Sequence, residues 1–295
     1  MKKIKYIILI CIISMVAFSN CQESDVPDPS KSVIKVDNEN QNQFDIFLKR
    51  EFVAPYNVEL LYKLPDIETN LNNYVVPSDY NQSIKMANLI KYLAFEPYTK
   101  VVSQEFMQKY FPKMIVLVGS GAYNNNNTVI LGTAEGGLKI TLYDINNMDV
   151  TDIDNLNDRY FRTIYHEFSH ILHQNIPYTR DFNQITSADY VQDEWNRYWP
   201  SNGVTSLEKG FISDYASKSP DEDFVELIAH YMTKPQSEWD TIITNAGAGG
   251  AIITQKITIV KSYLQSSWSI DLDALRDEVL LRQNNLDSQD LDNIN

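Results

Sequence analysis

The stretch YHEFSHILHQ, Tyr165 to Gln174, sits inside a longer run whose spacing constrains the fold more than any other feature of the chain. From about Leu156 to His173 the pattern is that of an amphipathic helix. With His166 as the origin and about 100° per residue, Phe161, Ile164, Phe168, Ile171 and Leu172 fall between about 140° and 240°. His166, His170 and His173, three of the four histidines in the chain, fall near about 0°, 40° and −20° on the opposite side. A core lies on one side of this helix. The histidine stripe is therefore either solvent-exposed or turned toward a site.

His166-Glu167-x-x-His170 is the zincin motif. Two histidines one turn apart can each aim a ring nitrogen at one zinc, and the glutamate between them sits beside a metal-bound water. A surface helix with incidental histidines is the alternative, and a third ligand would decide between them. His173 returns to the same face, but at about 1.5 Å of rise per residue it lies about 10 Å along the axis from His166. That is too far for binding together with His170, which leaves His173 supporting the site from behind, lining a cleft, or standing half-exposed at the helix end.

Acidic residues recur in SPDEDFVELIAHYM. Ser219 and Pro220 mark a helix start; Phe224, Leu227, Ile228 and Tyr231 form its apolar face, and Glu222, Glu226 and His230 line the opposite stripe. Locally, Ser219-x-x-Glu222 reads as a capping box in which Glu222 bonds the Ser219 amide. Asp223 and Glu226 can be read as solvated acids.

Around these elements the chain has the composition of a folded α+β protein. With 295 residues, 43% of them hydrophobic and 12% aromatic, it can bury a large core. Residues 41–112 carry helical patterns, NQFDIFLKREF, SIKMANLIKYLAF and SQEFMQKYF, with a short strand at Asn57 to Lys63. Lys113 to Ser120, Thr128 to Ala134 and Leu138 to Ile145 are β-rich runs separated by turns at Asn124 to Asn127 and Glu135 to Gly137. Segments around Trp239, Ile252 to Leu264 and Leu272 to Leu281 read as closing helices. NAGAGGA, Asn245 to Ala251, reads as a Gly-rich turn; without a preceding strand or a basic residue it is a poor phosphate loop.

The N-terminus has the anatomy of a signal peptide over residues 1–20: three lysines, an apolar run from Tyr6 to Phe18, then small or polar residues. That run is short for a permanent membrane helix, which needs about 20 apolar residues. FSNC resembles a bacterial lipobox with Cys21 as the lipidated residue, although Asn20 departs from the usual small residue before the cysteine. Residues 21–40 read as a flexible tether. Of the two cysteines in the chain, Cys11 would leave with the signal, so the mature fold would have no intramolecular disulfide. Loss of residues 1–20, with three lysines and no acid, takes the net charge from −14 to −17. This acidity argues against nucleic acid or anionic headgroups as partners, leaving acyl chains to hold the membrane.

HEFSHILHQ followed by SDYASKSPDEDFVELIAHY resembles the gluzincin metallopeptidases, including the lethal-factor-like branch. Together with the lipoprotein start, it resembles the zinc-binding metallopeptidase lipoproteins encoded beside outer-membrane nutrient importers in Bacteroidetes. The resemblance covers mainly residues 160–235. It implies a single zincin-like domain over 41–295, α+β, with a small mixed sheet, an active-site helix and a mostly helical remainder. It also implies Zn²⁺ held by His166, His170 and Glu222, with Glu226 supporting a zinc histidine and Glu167 as the base. Tyr215, seven residues before Glu222, matches a tyrosine that steadies the oxyanion in the lethal-factor arrangement. Glu226 as ligand with Glu222 as a cap is the opposing assignment.

In zincins the strand nearest the cleft pairs with extended substrate, and Leu138 to Ile145 is the expected edge. The implied function is peptide hydrolysis by a surface-exposed outer-membrane lipoprotein that serves nutrient uptake, with a peptide or protein substrate and an importer complex as partner. Hydrolysis of another amide, an ester or a glycopeptide is the alternative, as is a non-catalytic binding lipoprotein. An intact Glu167 argues against the last.

Overall fold

Helices with unusual joints build most of the molecule. The computed structural model describes residues 41–64, 74–123, 129–130, 132–135 and 138–295; the signal segment, Cys21 and the rest of the tether lie outside them, as do the turns at 124–127 and 136–137. Asn42–Asn295 form one unit. No described helix is long and apolar enough to cross a membrane.

The first helix, α1, spans 43–56. Asn42 and Asp45 cap it reciprocally, and a π turn at Lys49–Val53 interrupts it. Asn57, in the left-handed region with φ 55°, ends it and turns the chain into β1, Glu59–Leu61. α2 spans 80–101 and has its own π turn at Lys91–Phe95. α3, Gln104–Tyr110, starts at the Ser103 cap. Phe52, Leu93, Phe95 and Met107 from this layer are buried completely.

A mixed sheet follows, with β2 at Met114–Leu117, β5 at Gly132–Glu135 and β6 at Lys139–Leu142. A separate two-stranded ladder pairs β3, Ala122–Tyr123, with β4, Val129–Ile130. The order in the main sheet is β1-β2-β6-β5; the first three strands are parallel and β5 runs antiparallel to β6. The expectation that the run from Leu138 supplies the free edge is therefore wrong: β6 is paired on both sides, and β5 is the edge. Alternating buried and exposed residues mark a strand but do not report how many neighbours it has.

α4 spans 153–175 and carries the histidines. Asp152 caps it by accepting from the Asn155 amide, and a π turn at Asn157–Phe161 precedes the helical stretch Arg162–Asn175. The extra residue in that turn shifts the helical phase, so both Tyr160 and Phe161 are fully buried. Phe168 packs edge-on against Tyr98 and Phe111, from α2 and the end of α3, and the Tyr165 hydroxyl donates to the Leu93 carbonyl at 2.6 Å. The N-terminal layer thus serves as the bed of the histidine helix.

The remaining helices are α5, Arg180–Ile185; α6, Trp195–Asn202; α7, Pro220–Thr233; α8, Gln236–Asn245; α9, Ala248–Trp268; and α10, Leu272–Asn284. NAGAGGA is less of a turn than expected, because α9 already starts at Ala248. Gly249 serves close approach, since a Cβ there would stand 1.9 Å from the Leu207 carbonyl oxygen, whereas Gly247 takes a left-handed φ of 55°.

Candidate metal centre

α4 and α7 lie against one another, and their polar stripes meet. His166 and His173 are only 8% and 7% exposed. This settles the choice left open by periodicity: the stripe faces α7, not solvent.

α7 begins at Ser219, whose hydroxyl accepts from the Glu222 amide at 3.3 Å, and Asp221, Glu222 and Asp223 fill its first turn. Negative charge there suits the positive end of the helix dipole. The reciprocal half of a capping box is absent, because the Glu222 carboxylate points toward α4 instead. Its Oε2 lies 3.1 Å from His166 Nε2 and 3.2 Å from His170 Nε2, and these two nitrogens are 3.2 Å apart. Among the described residues, His166, His170 and Glu222 form the one group of at least three histidine, cysteine or acidic side chains that could hold a metal.

The triangle fits zinc. Ligands at about 2.0–2.1 Å on tetrahedral vertices stand about 3.3–3.4 Å apart, close to the three edges observed. Each corner also has support from behind. His166 Nδ1 is 2.8 Å from Glu226 Oε1, and the Ser213 hydroxyl donates to the other Glu226 oxygen at 2.5 Å. His230 Nε2 stands 3.4 Å from that same oxygen. His170 Nδ1 lies 2.9 Å from His173 Nε2. For His170 to present an Nε2 lone pair, its Nδ1 carries the proton and His173 accepts it. Burial, and then the neighbouring His170, hold the His173 pKa below its usual value, which keeps it neutral and able to accept.

Electrostatics follow from this packing. Burial alone would push the His166 pKa down, but the hydrogen bonds that its ring donates to the Glu222 and Glu226 carboxylates raise it to about 10. Burial likewise works against ionised Glu222 and Glu226; the imidazoles of His166 with His170, and of His166 with His230, outweigh it and hold both acids well below the usual carboxylate range. Glu167 differs. It is half-buried, burial dominates and raises its pKa against the pull of His166 and His170, and no described side chain hydrogen-bonds its carboxylate.

Tyr215 lies in a 3₁₀ turn, Tyr215–Lys218, just before α7. Its hydroxyl donates to Glu222 Oε1 at 3.0 Å, and its ring stands nearly perpendicular to that of Trp195 at 5.1 Å between centroids. Burial, reinforced by Glu222, pushes its pKa far up and keeps the phenol protonated. Lys218 Nζ is 3.2 Å from both the Tyr215 hydroxyl and Glu222 Oε1.

Behind the site, Asp223 and Lys256 form a fully buried pair at 2.5 Å. Lys256 also donates to the Gly210 carbonyl at 2.9 Å and lies 4.2 Å above the Phe211 ring, while the Tyr190 hydroxyl donates to Asp223 at 2.9 Å. This knot ties the first turn of α7 to α9 and to the loop before Tyr215. Sequence reading passed over Ser213, Lys218 and Lys256. Lys218 left a trace, its i,i+4 spacing to Glu222; Ser213 lies in a loop, and Lys256 lies on an expected helix with nothing local to mark its partner.

Comparison with known proteins bears on the family of the chain. Curated proteins give no significant match. A solved structure described as "a putative zinc-binding metallo-peptidase from Bacteroides caccae ATCC 43185" is similar at a TM-score of 0.75 and 34% identity, over 90% of this chain and 100% of that one. Residues 37–273 match a family described as "Putative zinc-binding metallo-peptidase". That span takes in α1 through the start of α10 and every corner of the His-His-Glu triangle, and on this evidence the chain belongs to that zinc-binding metallopeptidase family.

Proposed function

We propose that the protein hydrolyses peptide bonds, with zinc held by His166, His170 and Glu222 and with Glu167 as general base. The observation that carries this reading is the 3.1–3.2 Å triangle of potential ligand atoms with a raised-pKa carboxylate next to it in sequence. Zinc held in that triangle would supply a water of lowered pKa and would polarise a scissile carbonyl. Glu167 is placed to act as general base, taking a proton from the attacking water as the water oxygen bonds to the carbonyl carbon. As the C–N bond breaks, Glu167 hands the proton to the leaving amine. Tyr215, protonated and next to Glu222, donates to the oxygen that gathers negative charge. Glu226 and His173 hold the two imidazoles in register.

We further propose that the mature chain begins at acylated Cys21 and works on the outer surface of the cell envelope, delivering peptide products to an importer. The signal-like residues 1–20, the Cys21 context and the acidic tether support this. Incorporation of labelled fatty acid into the wild-type chain, and its loss in Cys21→Ser, tests the anchor; equal labelling in both would overturn it.

The catalytic reading is tested by metal analysis together with cleavage of a mixed peptide library. One zinc per chain is expected, with hydrolysis in the wild type. Glu167→Gln should retain the metal and lose at least about a hundredfold in kcat, the lower end of general-base contributions. Zinc bound with no peptide cleaved would overturn peptidase activity, and absence of stoichiometric zinc would overturn the centre itself.

A further inference from the structure

The Glu222 carboxylate is used at both oxygens. Oε2 faces the two imidazoles, and Oε1 takes two donors at once, the Tyr215 hydroxyl at 3.0 Å and the Lys218 ammonium at 3.2 Å. Lys218 also touches the Tyr215 hydroxyl at 3.2 Å and lies 5.0 Å from the centre of its ring, so the three groups close a small ring of contacts. In this arrangement Tyr215 is not free: its single proton is committed to a metal ligand. An oxyanion donor must release that bond, and the carboxylate would then lose a donor on the oxygen that keeps it from turning its other face to the metal.

We infer that Lys218 is a positioning residue that keeps hold of Glu222 Oε1, so that the Tyr215 hydroxyl can leave the ligand and turn to substrate. This rests on the zinc-peptidase reading above. Redundancy is its physical content. Either donor alone secures the carboxylate at rest, since each makes a charge-assisted hydrogen bond to it. Only Lys218 can secure it while Tyr215 is engaged elsewhere. Lys218 sits one turn ahead of Glu222, in the 3₁₀ turn that the Ser219 cap separates from α7, so its reach does not depend on the fraying of that helix. Its side chain is one-third exposed, which lets the ammonium follow the carboxylate without leaving water.

The test is a double-mutant series, Lys218→Met, Tyr215→Phe and both together, read in two ways on the full mature chain. In zinc affinity by chelator competition, each single change should raise Kd by no more than about threefold, and the pair by about thirtyfold or more, within the about 10–100-fold typical of losing the support behind a ligand. In kcat of zinc-saturated enzyme, Lys218→Met should cost about tenfold with KM unmoved, because Tyr215 must then stay on Glu222. In the Tyr215→Phe background the same change should cost nothing further in kcat. Zinc affinities that simply multiply, or an unchanged kcat for Lys218→Met, would overturn the inference. If the wild type binds zinc and cleaves no peptide, the peptidase reading fails, and the Kd series by itself decides the role of Lys218.

Discussion

α4 reaches the metal triangle as a continuous helix packed on both sides, whereas residues 213–226 reach it as a loop, a 3₁₀ turn and the start of α7. The first is held by aromatic burial. Phe168 and Tyr165 lock it to the N-terminal layer, and its two histidines need only their spacing to converge. The second is held by polar contacts: the Ser219 cap, the buried Asp223–Lys256 pair and the Ser213 bond to Glu226. One half of the site is thus set by helical period and the other by tertiary contacts. Their sensitivities to substitution should differ accordingly.

The largest effect concerns the third ligand. Glu222→Ala should lower zinc affinity well beyond the about 10–100-fold expected of an outer partner, while Glu226→Ala should stay within that range, because it touches His166 Nδ1 and not the triangle. Isothermal titration or chelator competition would measure both. The reverse ranking would mean that Glu226 is the ligand and that Glu222 acts as a cap.

Next comes the knot behind α7. Lys256→Met leaves Asp223 buried without its cation and should cost about 3–5 kcal/mol of stability, the usual consequence of breaking a buried pair. Pairing it with Asp223→Leu removes the orphaned charge and should recover most of that loss. Denaturant unfolding of the metal-free forms reads both. A single variant of wild-type stability would show that packing, not the ion pair, fixes the first turn of α7.

The contrast between the two halves also explains what the sequence made legible. His166, His170 and the apolar face of α4 follow from period alone, as does the apolar face of α7, while its Ser219-Pro220 start follows from capping chemistry. Glu222 was visible as an acid on the right stripe, but a capping box and a metal ligand use the same residue, and only the direction of its carboxylate separates them. Lys256 lies 33 residues beyond Asp223 with nothing local to mark it as a partner. The misassigned edge strand has the same origin. β6 and β5 are similar short β-rich runs, and the position of each in the sheet depends on crossovers that leave no imprint on either strand. The His173 contact to His170 was half visible: axial rise removed it from the triangle without showing that it holds the neighbouring ring.

A smaller effect tests the electrostatics that the two halves share. In the metal-free protein the His166 pKa is raised to about 10 by the Glu222 and Glu226 carboxylates, against burial, so at neutral pH the ring carries a proton that zinc must displace. Affinity should therefore rise with pH, by about tenfold per unit for one proton released, and flatten as pH approaches about 10. The carboxylates, held low, stay ionised across this range and add no slope of their own. Calorimetry in buffers of different ionisation enthalpy would count the proton, and zinc uptake without proton release near neutrality would show that the imidazole is already neutral.

The smallest expected effect isolates the cap from the ligand. Ser219 bonds the amide of Glu222 and touches neither the carboxylate nor the imidazoles, so Ser219→Ala should destabilise the protein by about 1 kcal/mol, as is usual for losing an N-cap side chain. If Tyr215 and Lys218 fix the Glu222 carboxylate independently of the helix start, zinc affinity should change by less than about threefold, a shift small beside that expected for outer supports. A tenfold loss of affinity with little loss of stability would reverse the relation between the two halves. The triangle would then depend on the first turn of α7 more than on the side chains gathered around it, and the Ser219 cap and the metal site would be one device.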